Sequence, residues 1–180
     1  MTYIIYKEGC GKAWLVDIGD IIPVVAFLKR KQLTAEGVFL THGHFDHIYG
    51  INNLLINYPS CKVYATSYCK DCLYSDRLNM SRYHELPITY EGDNVVLVKE
   101  GDLFKLFDDE PPMQLYETPG HNPSCLTMAM GDVVFTGDAY IPGIGANIQP
   151  YRANKELAKQ SLERILKLAE GKAILPGHCV

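Results

Sequence analysis

The chain has 180 residues, 47% of them hydrophobic and 21% charged, with a formal net charge of −4. This is the composition of a soluble globular protein, and the length points to one domain, residues 1–180, with a sizeable core. The negative charge argues against a general nucleic-acid surface, and no apolar run approaches the roughly 20 residues of a membrane span.

Met1-Thr2-Tyr3-Ile4-Ile5-Tyr6 has neither the basic region nor the long apolar stretch of a signal peptide. Six cysteines without an export signal read as free thiols, so a cytoplasmic location is expected. Thr2 to Tyr6 and Ala13 to Asp17 read as paired strands around Glu8-Gly9-Cys10-Gly11. A helix is predicted over 21–32, with Asp20 as N-cap, Pro23 in the first turn and Lys29, Arg30 and Lys31 at the C-terminal end. Gly37 to Thr41 is the next strand, Asp46 to Ile56 a helix, Lys62 to Ala65 a strand and Ser67 to Leu73 a short helix.

Residues 74 to 92 lack periodicity, and a stretch of that length is often a binding loop. Strands follow at about 94–98, 103–107, 113–117, 125–130 and 133–136, then a Gly/Pro-rich loop over 139–151. Asn154 caps a helix whose core-facing side is predicted to be Leu157, Ala158, Leu162, Ile165, Leu166, Leu168 and Ala169. Ala173 to Leu175 is the last strand. Both halves end a strand in a ligand-bearing turn, which suggests a weak internal duplication.

Five of the six histidines fall in three short places. Thr41-His42-Gly43-His44-Phe45-Asp46-His47 is the first; Pro119-Gly120-His121, Gly137-Asp138 and Pro176-Gly177-His178 complete the set. Each follows an apolar run, so four strand ends deliver seven candidate metal ligands: His42, His44, Asp46, His47, His121, Asp138 and His178. His42 and His44 can point the same way from an extended segment. Asp46 and His47, at a helix start, point to a neighbouring position. The spacing suits two adjacent metals, and imidazole with carboxylate suits zinc, with iron or manganese as alternatives.

These motifs, in this order, resemble those of the metallo-β-lactamase superfamily, and the resemblance spans nearly the whole chain. It implies an α+β fold, the αββα four-layer sandwich. It also implies that His42, His44 and His121 hold one metal, that Asp46, His47 and His178 hold the second, and that Asp138 bridges them. Within the superfamily the chain is most similar to small glyoxalase II-like hydrolases. Asn79-Met80-Ser81 resembles one of their segments, and Gly120-His121-Asn122-Pro123-Ser124-Cys125 resembles their Gly-His-Thr-Pro-Gly-Ser, with Asn122, Ser124 and Cys125 as departures. The chain stops two residues after His178, short of the C-terminal glutathione-binding domain of full-length glyoxalase II. The expected substrates are therefore small thioesters, esters or lactones, without tight recognition of glutathione itself.

Two such metals share a hydroxide that attacks a carbonyl at neutral pH, with Asp46 as the candidate catalytic group that orients it. A phosphodiesterase or nuclease and a mononuclear iron persulfide dioxygenase are the competing enzyme readings, and a non-catalytic scaffold is the third. No Gly-x-Ser-x-Gly, P-loop or His-Glu-x-x-His offers other chemistry. The expected partner is a small-molecule substrate, with neither nucleic acid nor membrane. Residues 74–92 and 139–152, with Tyr74, Tyr83, His84, Tyr90, Tyr140 and Tyr151, are expected to border the metal cleft, with a homodimer as a further source of its wall. Arg152 and Lys155 are candidates to meet an anionic substrate or simply a solvated helix start. Cys69-x-x-Cys72 lacks a second pair and reads as structural; Cys125 and Cys179 adjoin ligand histidines.

Overall fold

The computed structural model describes residues 1–145, 148 and 152–179. The chain forms two compact units, residues 1–97 and 98–180, each built on one five-stranded sheet.

In the first unit, β1 (Tyr3–Tyr6) and β2 (Lys12–Val16) make the expected antiparallel pair. Helix α1 (Ile21–Lys31) begins at Asp20, whose carboxylate accepts from the Ile22 amide. It ends at Gln32 in the left-handed region. Strands β3 (Thr34–Phe39), β4 (Lys62–Ala65) and β5 (Val95–Leu97) add in parallel, giving the order β1-β2-β3-β4-β5. Side chains alternate across these strands. Leu15, Val38, Leu40 and Val63 cluster with Leu28 of α1 and with residues of the later helices, and each fully buried leucine contributes about 1.5–3 kcal/mol. Trp14, Phe39 and Tyr64 fall on the opposite parity, with the Phe39 and Tyr64 rings stacked at 4.4 Å.

The single helix expected over 46–56 is two: α2 (Phe45–Ile48) and α3 (Ile51–Asn57). They separate at Tyr49-Gly50 because the Gly50 amide donates out of the helix to the Ile18 carbonyl. A Cβ on Gly50 would sit 2.9 Å from the Gly19 carbonyl oxygen. Helix α4 (Ser67–Leu73) is capped by the Thr66 hydroxyl, which accepts from Cys69 N–H. No disulfide joins any of the six cysteines. Burial pushes the Cys61 thiol up to about 12, so it stays protonated as a core group.

In the second unit, β6 (Leu103–Phe104), β7 (Met113–Glu117), β8 (Leu126–Met130), β9 (Val133–Gly137) and β10 (Ala173–Pro176) follow the order β10-β9-β8-β7-β6. Only β9 and β10 pair in parallel. The first sheet has three parallel pairings, so strand pairing carries no sign of the suggested duplication. Helix α5 (Lys155–Leu168) starts where the Asn154 side chain accepts from Glu156 and Leu157 amides.

The buried side of α5 corrects the sequence reading. It is Ala158, Ser161, Ile165 and Ala169, while Leu157 and Leu166 are exposed. The helix approaches the Pro119-Gly120 turn too closely for large residues: Ser161 Oγ donates to the Pro119 carbonyl at 2.6 Å. A Cβ on Gly120, whose φ is +146°, would lie 2.3 Å from Ala158 Cα. Gly120→Ala should therefore destabilise the protein by about 3 kcal/mol or more, seen as a melting temperature lower by about 10 °C. A variant that melts within a degree or two of the parent would contradict this packing. No helix among the described residues is long and apolar enough to cross a membrane.

Candidate metal centre

The seven residues expected as ligands all fall in groups of His and Asp side chains that could hold a metal ion: His42, His44, Asp46 and His47 from the first unit, and His121, Asp138 and His178 from the second. In the first unit β3 runs into an extended segment carrying His42 and His44, and α2 carries Asp46 and His47. Gly43 permits that segment to lie on α4, because a Cβ there would meet Cys72 Cβ at 2.4 Å and its Sγ at 2.9 Å. This gives the Cys69-x-x-Cys72 pair its role: both are buried in the helix behind the ligand segment.

Asp17 organises this half. The sequence reading passed over it: like Asp138 it follows an apolar strand, but it lacks the glycine that precedes Asp138. Asp17 sits in the left-handed region at φ 58° and is buried. Its Oδ1 accepts from the Thr41 amide at 2.7 Å, and its Oδ2 accepts from Thr41 Oγ1 at 2.7 Å. Oδ2 also lies 2.7 Å from His47 Nδ1. An ionised carboxylate cannot donate, so His47 carries its hydrogen on Nδ1 and turns the lone pair of Nε2 outward. Thr41 Oγ1, having given its hydrogen to Asp17, accepts from His42 Nδ1 at 3.1 Å. That leaves His42 Nε2 with a lone pair, 3.1 Å from His44 Nδ1. One carboxylate thus sets the tautomers of two histidines.

Asp46 is part-exposed, and its Oδ2 lies 3.7 Å from His47 Nε2. Gly19 is small where the Asp46 carbonyl comes close: a Cβ would be 2.7 Å from that oxygen. Asn79 is the buried hub of the segment that resembles the family's. Its carbonyl accepts from Phe45 N–H, and its amide donates to the carbonyls of Cys72 and Ile88.

In the second unit, His121 lies between β7 and β8, Asp138 follows β9 and His178 follows β10. The departures at Asn122 and Ser124 are structural: Asn122 Oδ1 accepts from the Ser124 amide and hydroxyl, and the Cys125 amide returns to the Asn122 carbonyl. The Gly177 amide donates to the Gly137 carbonyl at 2.9 Å, which fixes the Asp138 and His178 turns side by side. Asp138 Oδ2 is 3.6 Å from His121 Nε2 and 3.4 Å from His178 Nε2. These separations suit a metal ion: ligands with bonds of about 2.1 Å in a tetrahedron stand about 3.4 Å apart.

Of the 74–92 segment, residues 84–86 line a cleft with Asp46, and the His84 ring lies on Phe45 at 4.0 Å between centroids. The tyrosines of the segment do something else. Tyr90 is core, and the Tyr74 hydroxyl donates to the Gly92 carbonyl. Tyr140 packs on a cluster of Cys125, Ala139 and Ile165; Tyr151 lies outside the described residues.

A model of the metallo-beta-lactamase superfamily matches residues 2–178. The chain belongs to that superfamily. Among solved structures, a B3 metallo-beta-lactamase named BLEG-1 is 27% identical, with a TM-score of 0.89 over 99% of this chain and 86% of that one. The protein TTHA1623, crystallised in a di-iron-bound form, is 25% identical with a TM-score of 0.82 over 99% and 87%. The metallo-beta-lactamase fold, an α+β fold, is thereby shown. Curated relatives are hydroxyacylglutathione hydrolases: that of Tolumonas auensis is 26% identical over 172 residues, 96% of this chain and 59% of the relative. That of Hahella chejuensis is 29% identical over 174 residues, 93% and 57%. The chain spans a little under three fifths of the length of these relatives. Superfamily membership implies divalent-metal binding, and the His and Asp groups described above are its candidate ligands.

Proposed function

We propose that the protein is a dinuclear metal-dependent hydrolase of small thioesters, esters or lactones. The observation that carries this reading is the cluster of candidate ligands in each unit, with carboxylate and imidazole atoms 3.4–3.7 Å apart, and the histidine tautomers set by Asp17. In this proposal His42, His44 and His121 would hold one ion and Asp46, His47 and His178 the other, with Asp138 as the seventh candidate ligand. Zinc fits the nitrogen and oxygen donors, with iron as the alternative.

Metals bound there would supply a water acidified toward a pKa of about 7 and an electrophile for the carbonyl oxygen. The protein's own residues do the rest. Asp17 and Thr41 keep the ligand nitrogens of His47 and His42 unprotonated. Asp46, part-exposed, orients the attacking water and accepts its hydrogen at a carboxylate oxygen. No side-chain nucleophile takes part.

A screen of the zinc-loaded protein against thioester, lactone, β-lactam and phosphodiester substrates tests this. At least one thioester or lactone should be turned over with kcat/KM on the order of 10⁴ M⁻¹s⁻¹ or more. Phosphodiester hydrolysis faster than any acyl transfer would replace the proposal with the nuclease reading.

A further inference from the structure

The cleft that begins at Asp46 is formed entirely within the first unit and has a volume of about 880 Å³. That size accommodates a small organic group. Its walls are Ile22, Phe45, Tyr49 and Leu86, which leave apolar surface open: Ile22 is 76% exposed and Leu86 68%. Phe45 packs against the His84 ring, with centroids 4.0 Å apart, and meets the Tyr49 ring edge-on, with centroids 6.4 Å apart. Its amide is tied to the Asn79 carbonyl, so this wall is preformed.

Away from the ligand Asp46, the charged groups that line the cleft are the carboxylates of Asp20 and Glu85, and no lysine or arginine is among the described residues that line it. Asp20 is locked in place as the N-cap of α1. An anionic group seated against the apolar wall would meet Asp20 and Glu85 with no lysine or arginine beside them to balance it. An uncharged apolar group would cover Ile22, Leu86 and Phe45 and gain from their removal from water.

We propose that this cleft is a specificity pocket that takes an uncharged apolar group of the substrate and rejects an anionic one. This rests on the hydrolase reading, since Asp46 joins the cleft to the chemistry. The group is either the acyl substituent or the leaving thiol, and one experiment distinguishes the two.

The reference substrate is the acetyl thioester of N-acetylcysteamine. The first arm replaces acetyl with phenylacetyl, the second replaces the thiol with benzyl mercaptan, and each is paired with a ring-carboxylated counterpart. At least one neutral arm should exceed the reference in kcat/KM by about tenfold or more, and its carboxylated partner should lose that gain. Leu86→Ser should shrink the preference for that arm severalfold. A second measurement does not depend on turnover: methyl resonances of Ile22 and Leu86 are followed as the amide isosteres of the same compounds are added. Neutral isosteres should shift both methyls, and carboxylated ones should do so far more weakly. No shift, or equal shifts from neutral and carboxylated compounds, would overturn the pocket even if the protein hydrolyses thioesters. Selective shifts without turnover would uphold the pocket and sink the hydrolase reading.

Discussion

Asp46→Ala should lower turnover by a factor of at least about 10² to 10⁴, the range expected when a positioned proton acceptor is lost. The fold should survive. Asp46 is part-exposed in the four-residue helix α2, and its side chain caps no helix. Losing a surface carboxylate of this kind changes stability by about 1 kcal/mol or less. The check pairs steady-state kinetics with a thermal melt and a metal count on the same sample. Activity within a few-fold of the parent, with the metal content intact, would remove Asp46 from the role proposed for it.

Asp17 should matter through metal affinity. Asp17→Asn is the informative change, because asparagine tolerates the left-handed backbone found here at φ 58°. The amide keeps the shape but loses the charge that holds the Nδ1 hydrogen of His47 and the Thr41 hydroxyl. Weakening such a partner of a ligating histidine costs about 10- to 100-fold in metal affinity or activity. A competition titration with a chromophoric chelator should show that loss, largest for the ion assigned to His47. Asp17→Ala should in addition lower stability by several kcal/mol, because the buried Thr41 amide, the Thr41 hydroxyl and His47 Nδ1 would each lose an acceptor. Unchanged affinity in Asp17→Asn would show that the histidines are oriented without this carboxylate.

Much of the fold was legible because its local signals agree with its tertiary packing. Asp20 and Asn154 cap where expected, and β4 and α4 match residue for residue. The failures have physical causes that sequence periodicity does not carry. The break at Gly50 reflects an amide recruited by Ile18, a partner about thirty residues away in the chain. The exposed Leu157 and Leu166 reflect a helix pressed on a glycine turn, where small residues win over large ones. Tyr90, read as a loop tyrosine over the cleft, is core.

The seven candidate ligands stand out in the sequence because each lies in a short polar motif that follows an apolar run. Asp17 also follows an apolar run. Its role is not legible because the sequence reads Asp17 as the last residue of a strand, with no histidine beside it to mark a site. The specificity pocket was visible only in part: the 74–92 segment was expected near the site, but its contribution is His84, Glu85 and Leu86, and the aromatic wall is Phe45 with Tyr49.

The most direct test of the central claim is the number of metal ions per chain. Protein purified without added metal, then loaded and desalted, should give two ions per chain by elemental analysis. Anomalous diffraction should place one at His42, His44 and His121 and the other at Asp46, His47 and His178. A single ion under metal-replete conditions, with His47 or His178 turned away from it, would contradict the dinuclear hydrolase and favour mononuclear chemistry.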